Sequence, residues 1–319
     1  MQQISITGAN SFIGRHLIHA LSSRSNTRIK AMTSKLSNKT ITDDGIMSSF
    51  NCNLLNKESL IGFVEGGCTV VNLAYLWDGS KDDNLAAMKN LLDQCEEVKI
   101  QRFIHVSTAV VVGRASDLRV TEKTLCEPAN EYEETKLLLE NMLKERSRNK
   151  FEYVIVRPTA VFGAGGKNLV KLINDLRYGS GLLNYIKSCV YNKRKMNLVC
   201  IANVVSTIEY LIDNTNLNNE IFIISDDESE LNNYIDVQKM LIKKLGCDSY
   251  SLLAIPFPSF ILSFILTIAG RTNINPSRIY DCSKLMNTGY KKPIKFIDGL
   301  NEFIESYIAL EKIEAFSDH

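Results

Sequence analysis

The chain has 319 residues, a formal net charge of +1 and 45% hydrophobic residues. That length supports a sizeable core, in one large domain or two interleaved ones. The balanced charge gives no electrostatic reason for a nucleic-acid or anionic-membrane partner.

The first 160 residues alternate between short β-rich runs and helical patterns. Strands are expected at 3–7, 28–33, 47–51, 69–74, 102–107 and 151–157, with the clearest helices at 84–98 and 132–146. Such alternation implies βαβ units and a parallel sheet with helices on both faces. No signal peptide is expected, because the N-terminus enters a strand directly. Ligands of such sheets bind beyond the carboxyl ends of the strands. Gly8, Ala74, Ser107, Thr108 and Pro158 fall at such ends and are expected to face one cleft.

The first of these ends lies in "SITGANSFIGRHLI", residues 5–18. A glycine turn of this kind aims backbone amides and a helix N-terminus at a pyrophosphate, where side chains would intrude. Ser11 stands where a middle glycine is expected; it is small, and its hydroxyl can cap the helix or bond a phosphate oxygen. Enzymes that bind NAD usually carry an acid at the end of the second strand, to hold the ribose hydroxyls. Here that end reads Thr33, Ser34, Lys35, with no acid before Asp43. Such a site suits the 2′-phosphate of NADP(H) better than a bare ribose, with NAD(H) as the alternative.

Three Tyr-x-x-x-Lys pairs occur: Tyr132/Lys136, Tyr191/Lys195 and Tyr280/Lys284. On a helix this spacing puts both residues on one face, where the ammonium can lower the phenol's pKa and make it a proton donor or acceptor. Context favours Tyr132, which opens a helix between two core strands and follows Ser107 and Thr108 at a strand end. The pairs at 191 and 280 read as surface features.

After residue 160 the alternation loosens. A glycine-rich loop precedes a helix around 167–178 and a poorly periodic stretch to about 200. A helix (203–213), a strand (221–225), a helix (232–245) and a C-terminal amphipathic helix (296–311) follow. The apolar run at 252–270 contains Pro256 and Pro258, which leave Ser259–Gly270, about 18 Å of helix. A bilayer core needs about 30 Å, so a buried helix is expected there, with contact at a membrane surface as the alternative. Eight cysteines (Cys52, Cys68, Cys95, Cys126, Cys189, Cys200, Cys247, Cys282) form no C-x-x-C pair and have no histidine at ligand spacing. They read as reduced, mostly buried thiols of a cytoplasmic protein, without disulfides or a metal site.

"TGANSFIG", "NLA", "VSTAVVVG", "YEETK" and "VRPTAVFGAGGKNL", in this order, resemble the extended short-chain dehydrogenases/reductases, within them the nucleotide-sugar epimerase/dehydratase/reductase group. The likeness extends to "NLVCIANVV", "FIISDDES" and "DCSKLMNTGYKKPIKFIDGL", so it covers nearly the whole chain. It implies a Rossmann-type, doubly wound parallel sheet over residues 1–165, with returns at about 203–245. A smaller, interleaved C-terminal substrate lobe would cover 166–319.

The resemblance makes Tyr132 the catalytic acid/base, Lys136 its pKa-lowering partner and ligand of the nicotinamide ribose, and Thr108 a hydrogen-bonding partner of the reacting oxygen. It gives the pyrophosphate to Gly8, Ser11, Phe12, Ile13 and Gly14, and the adenine border to Asn53 and Leu54. Leu73, Ala74 and Asn84 would line the cofactor, with Pro158 and Val161 near the nicotinamide. Asn168, Arg194 and Arg278 are the candidates for the substrate's diphosphate. Departures from the family pattern are Ser11, Asn53 for a common Asp, Val112 for a frequent Tyr, and Asn203 for a usual Asp.

The implied activity is NADPH-dependent reduction of a nucleotide-linked 4-keto-6-deoxy sugar. The alternative is a 4-epimerase with tightly bound NAD. A dehydratase would need an added acid/base pair, whereas Ala109 follows Thr108. A non-catalytic NADP-binding regulator would typically lack the Tyr or Lys that this chain keeps. A homodimer is implied through the helices at 84–98 and 132–146.

Overall fold

The computed structural model describes residues 1–33, 47–247, 254–256, 267–268 and 275–317. Ser34, Lys35 and most of the apolar 252–270 run lie outside the described residues. The fold is a doubly wound α/β arrangement built on a seven-stranded sheet. Its strands are β1 (Gln2–Thr7), β2 (Thr27–Thr33), β3 (Met47–Asn51), β4 (Thr69–Asn72), β5 (Arg102–Val106), β7 (Glu152–Pro158) and β10 (Glu220–Ile224). The order is β10-β7-β5-β4-β1-β2-β3, and the pairs from β7 across to β3 are all parallel. Strands β1, β4 and β5 carry long runs of fully buried residues, as a parallel sheet covered on both faces requires.

The chain winds from β1 to β3 in one direction and resumes with β4 on the other side of β1. The switch point therefore lies between the ends of β1 and β4. There Thr7 Oγ1 donates to Asn72 Oδ1 at 2.5 Å and accepts from Leu73 N and Ala74 N at 3.2 and 3.3 Å.

Helices α1 (Phe12–Ser22), α2 (Lys81–Val98) and α3 (Glu131–Arg146) belong to this first unit, and local chemistry sets their starts. Ser11 caps α1 by accepting from Gly14 N. Ser80 and Asp83 form a reciprocal capping box on α2. Asn130 caps α3, and the Glu133 carboxylate turns back to accept from Ala129 N and Asn130 Nδ2, both at 2.8 Å. Leu91, Leu92 and Cys95 of α2 and Leu139 and Leu143 of α3 share one core with Val70, Phe103 and Ile155 of the sheet. Six of the eight thiols are buried.

The compact first unit comprises residues 1–111, 128–157 and 205–222, and the second comprises 112–127, 158–204 and 223–319. The return to the first unit thus ends at Phe222, and the helix after it belongs to the second. The second unit holds two short parallel pairs. One joins β6 (Arg119–Val120) to β11 (Ile279–Tyr280), the other β8 (Ala160–Phe162) to β9 (Leu198–Cys200). Helices α4 (Val170–Tyr178), α5 (Gly181–Tyr191), α7 (Tyr234–Leu245), α8 (Ser283–Met286) and α9 (Phe296–Ser317) lie here, while α6 (Ile201–Asp213) spans the boundary.

Two sequence expectations change. The stretch expected to be irregular contains α5, which Ser180 caps. Its apolar positions Leu182, Leu183 and Ile186 are exposed, so they never formed a clean core-facing period. The helix expected from 167 starts at Val170, because Leu169 takes a left-handed conformation with φ 70° and breaks the helical run.

Candidate active site

The glycine turn is built by close approach. Gly8 has φ +64°, and a Cβ there would lie 2.9 Å from Ala74 N and from the Leu73 carbonyl carbon. A Cβ on Gly14 would lie 2.3 Å from Gly8 O and 2.6 Å from Ala9 O. Both positions require glycine, whereas Ser11 serves as the helix cap. The first turn of α1 carries no acidic side chain, so its N-terminal partial charge is left for an anion. Phe12 and Ile13 are half-buried at this turn. These features fit the pyrophosphate of a dinucleotide.

The adenine-side candidates are held differently. Thr33 is buried, and its Oγ1 lies 3.3 Å from Ser49 Oγ and 3.5 Å from Phe50 O, so it faces β3. Asn53 is exposed and its Oδ1 accepts from Leu55 N, while Leu54 is buried and offers its carbonyl to Asn90 Nδ2. Asn84 uses both ends of its amide on the loop after β4. Its Oδ1 accepts from Leu76 N at 2.9 Å, and its Nδ2 donates to Leu76 O and Ser80 O at 3.0 Å. Asn84 therefore shapes the loop that carries Leu73, Ala74, Tyr75 and Trp77.

Thr108, Tyr132 and Lys136 come together in the first unit. Tyr132, in the first turn of α3, lies beside the Thr108 side chain just beyond β5. Lys136 follows one turn later, buried, and its Nζ donates to Val106 O at 3.3 Å. The same ammonium lies 5.0 Å from the centroid of the Tyr75 ring.

Electrostatics here differ from the sequence expectation that Lys136 lowers the phenol's pKa. Burial, seconded by Tyr75, pushes Tyr132 up to about 12, and the Thr108 side chain only partly opposes this. Burial pushes Lys136 down to about 8, against the pull of the Glu140 carboxylate. Tyr132 is thus a phenol, and hence a proton donor, at neutral pH. Behind the pair, His105 is fully buried beside Asn72 Nδ2 (3.2 Å from its Nδ1), and burial holds it neutral, well below the usual histidine range.

The other two Tyr/Lys pairs do not form comparable sites. Tyr191 ends α5, while Lys195 lies beyond it and donates to Asp227 O and Ser229 O. Tyr280 is buried on β11 and Lys284 sits in α8, so no helix face unites them. The expectation of a surface Tyr280 fails, because its backbone N–H pairs with the buried Asp227 carboxylate.

The remaining candidates lie in the second unit. Pro158 is buried at the end of β7. Asn168 Nδ2 donates to Val161 O at 2.7 Å, which joins those two residues. Asn168 precedes α4 by two residues and is not its cap. The Arg194 guanidinium stacks over Tyr191 at 5.6 Å. Arg278 is only 2% exposed and donates to the carbonyls of Gly113 and Ala115, so it ties residues 113–115 in place.

Sequence reasoning did not single out Tyr75, Trp77, Asn72 or Glu140. The aromatic pair in "NLAYLWDG", directly after a strand end, was the available signal for the first two.

A glycine turn at the head of a parallel sheet, with a Tyr-x-x-x-Lys pair beside the end of β5, defines an NAD(P)-dependent enzyme of the extended short-chain dehydrogenase/reductase type. The chain belongs to the NAD dependent epimerase/dehydratase family, whose model matches residues 4–225. It is 29% identical over 241 residues to a UDP-glucose 4-epimerase of Vibrio cholerae, covering 70% of this chain and 71% of that protein. It is 24% identical over 244 residues to a decarboxylating sterol-4-alpha-carboxylate 3-dehydrogenase of Mus musculus, covering 71% and 65%. Among solved structures, its fold is similar to a Bacillus anthracis dTDP-glucose 4,6-dehydratase in complex with NAD. That match has a TM-score of 0.73 at 19% identity, over 98% of both chains. A UDP-glucose 4-epimerase of Thermotoga maritima, solved with UDP-glucose, matches at TM-score 0.71 and 16% identity over 97% and 99%. No helix among the described residues is long and apolar enough to cross a membrane.

Proposed function

We propose that this protein reduces the keto group of a nucleotide-linked 4-keto-6-deoxyhexose with NADPH. The observation that carries this reading is the convergence of Thr108 and Tyr132 at the end of β5, with a phenol that holds its proton at neutral pH and the buried Lys136 one turn on. Gly8, Ser11, Phe12, Ile13 and Gly14 would hold the pyrophosphate, and Lys136 the nicotinamide ribose. Leu73 and Ala74 would line the cofactor, as would Pro158 and Val161. When bound, the nicotinamide supplies a hydride to the sugar's carbonyl carbon. Thr108 orients the carbonyl oxygen, and Tyr132 passes its phenolic proton to that oxygen as negative charge builds there. The product is the secondary alcohol, and the phenolate left on Tyr132 takes a proton back from solvent.

Ala109 is buried and offers no carboxylate beside Thr108, which argues against dehydration. The absence of an acid through the end of β2 argues for NADPH, with Ser34 and Lys35 as the 2′-phosphate ligands. Asn168, Arg194 and Arg278 are the diphosphate candidates, although the Arg278 guanidinium is already engaged by the carbonyls of Gly113 and Ala115. The protein is cytoplasmic in this reading, and a homodimer through α2 and α3. A 4-epimerase with bound NAD is the second reading, favoured by the Vibrio cholerae relative's name.

The deciding experiment incubates the purified protein with NADPH or NADH and a dTDP- or UDP-linked 4-keto-6-deoxyhexose, and separately with UDP-glucose. Stoichiometric NADPH oxidation with the keto sugar is expected, with no reaction on the free sugar, and Lys35→Asp should narrow the preference for NADPH. Interconversion of UDP-glucose and UDP-galactose without net cofactor loss would establish the epimerase instead. Sedimentation at micromolar concentration tests the dimer.

A further inference from the structure

The loop after β4 grips both members of the acid/base pair. Trp77 lies nearly parallel to the Tyr132 ring, with centroids 5.2 Å apart and an interplanar angle of 15°. Tyr75 meets Tyr132 edge-on at 5.1 Å and Trp77 at 4.8 Å, which closes a triangle of three rings. The Tyr75 ring also receives the Lys136 ammonium on its face.

Each ring of the loop is itself held. The Tyr75 phenol lies beside the Thr135 side chain, whose hydroxyl donates to Glu131 O at 2.7 Å. Around Trp77, Asn84 bonds both backbone groups of Leu76, and Gly79 N donates to Leu76 O at 3.2 Å. The loop's start hangs on Thr7 at the switch point, through Leu73 N and Ala74 N.

Trp77 is nevertheless 74% exposed, the chain's sole tryptophan and among its most exposed large apolar side chains. Solvent-exposed indole gains little from burial, so its packing value lies in the one ring it covers. A phenol turns about two side-chain torsions and sweeps its hydroxyl through an arc unless its faces are blocked. Trp77 covers one face, and Tyr75 packs against the same ring at a steep angle.

We propose that Trp77 and Tyr75 are positioning residues that clamp Tyr132 and Lys136 in the geometry for proton transfer. Neither need touch the reacting atoms. The titratable groups that act on the phenol are Tyr75 and Glu133, with Glu131 acting on Tyr75 and Lys136 one turn on. Glu134 is paired with Lys81, and Asp83 is bound to Ser80. Removing the indole admits water to the phenol without changing any of these charges. The clamp rests on the proposed keto reduction only for its kinetic consequence.

The test compares Trp77→Ala, Trp77→Phe and the parent, all full-length. With ring-labelled tyrosine, the Tyr132 resonance, assigned by its loss in Tyr132→Phe, should lie upfield in the parent from the indole ring current. It should move downfield in Trp77→Ala and lie between in Trp77→Phe. In turnover of the keto-sugar nucleotide, Trp77→Ala should lower kcat about tenfold, with KM and NADPH affinity within about twofold. The alkaline limb of kcat/KM should shift to lower pH, and Trp77→Phe should restore most of both. An unshifted resonance in Trp77→Ala overturns the clamp, as does a shifted resonance with kcat and pH profile unchanged. If the parent turns over no nucleotide sugar, the proposed reaction fails. The clamp is then judged on the resonance and on whether Tyr132 ionises more readily in Trp77→Ala, neither of which needs substrate.

Discussion

Glu140 and Arg157 make the most informative single perturbation of the fold that carries the site. Glu140 lies one turn beyond Lys136 on α3 and is fully buried, and Arg157 on β7 is 2% exposed. The guanidinium donates through Nε to Oε1 at 2.9 Å and through Nη2 to Oε2 at 2.6 Å. Glu140→Gln keeps the shape but sets an amide NH₂ against a guanidinium NH₂ and takes the Glu140 charge away from the cation. Breaking a buried pair from one side costs about 3–5 kcal/mol, out of a total of about 5–15 kcal/mol. With a urea slope of about 3 kcal/mol per M, the unfolding midpoint should fall by about 1–1.7 M. The same carboxylate supports the charge on Lys136, so its loss should also lower the ammonium's pKa further below about 8. Circular dichroism against urea measures the first effect. The double change Glu140→Leu with Arg157→Met should recover much of the stability, since a well-packed apolar pair is often no worse than a buried ion pair. A Gln variant with a midpoint within about 0.3 M of the parent, or a double variant no better than the single one, would refute this reasoning.

Three further outcomes are expected. Tyr132→Phe should lower turnover about 10²–10⁴-fold while cofactor affinity stays nearly intact, whereas Tyr191→Phe and Tyr280→Phe should keep most activity; the reverse pattern in steady-state assays would remove Tyr132 from its role. Gly14→Ala should abolish NADPH binding measured by calorimetry and lower thermal stability, because its Cβ would sit 2.3 Å from Gly8 O. Burial raises the Asp227 carboxyl to about 6 despite donors from Tyr280 N, Asn197 and Asn232. This carboxyl therefore binds more protons in the native state than in the unfolded one between about pH 4 and 6. Its own contribution to stability should rise by about 2 kcal/mol as pH falls from 7 to 4.5, and the difference between the parent and Asp227→Asn in urea titrations should change with pH by that amount.

The βαβ half was legible because its signals are local. Alternating apolar runs located β1, β2, β3, β4, β5 and β7 to within two residues at each end, and Ser11 capped its helix as its chemistry suggested. The second unit was less legible, because α5 turns Leu182, Leu183 and Ile186 outward and Leu169 bends the chain just before α4. Choosing Tyr132 among three Tyr/Lys pairs rested on its placement after a strand end, and that placement is what joins it to Thr108. The burial of Arg278 and of Tyr280 could not be read from spacing, since both depend on partners more than 50 residues away. Nor could the reversal of electrostatic emphasis around Tyr132, which follows from its burial in the folded chain.

The boundary between the two compact units is crossed five times along the chain, and this bears on how the molecule is made. The strand at one edge of the seven-stranded sheet, Glu220–Ile224, emerges only after more than two-thirds of the 319 residues have been synthesised. Before then, β7 has one unpaired edge. A nascent chain stalled near residue 165 would present a sticky, incomplete sheet instead of a finished nucleotide-binding domain. Separate expression of either half, or exchange of the second unit between relatives by a single crossover, should yield aggregates, because the polypeptide offers no point at which one cut leaves a whole unit behind.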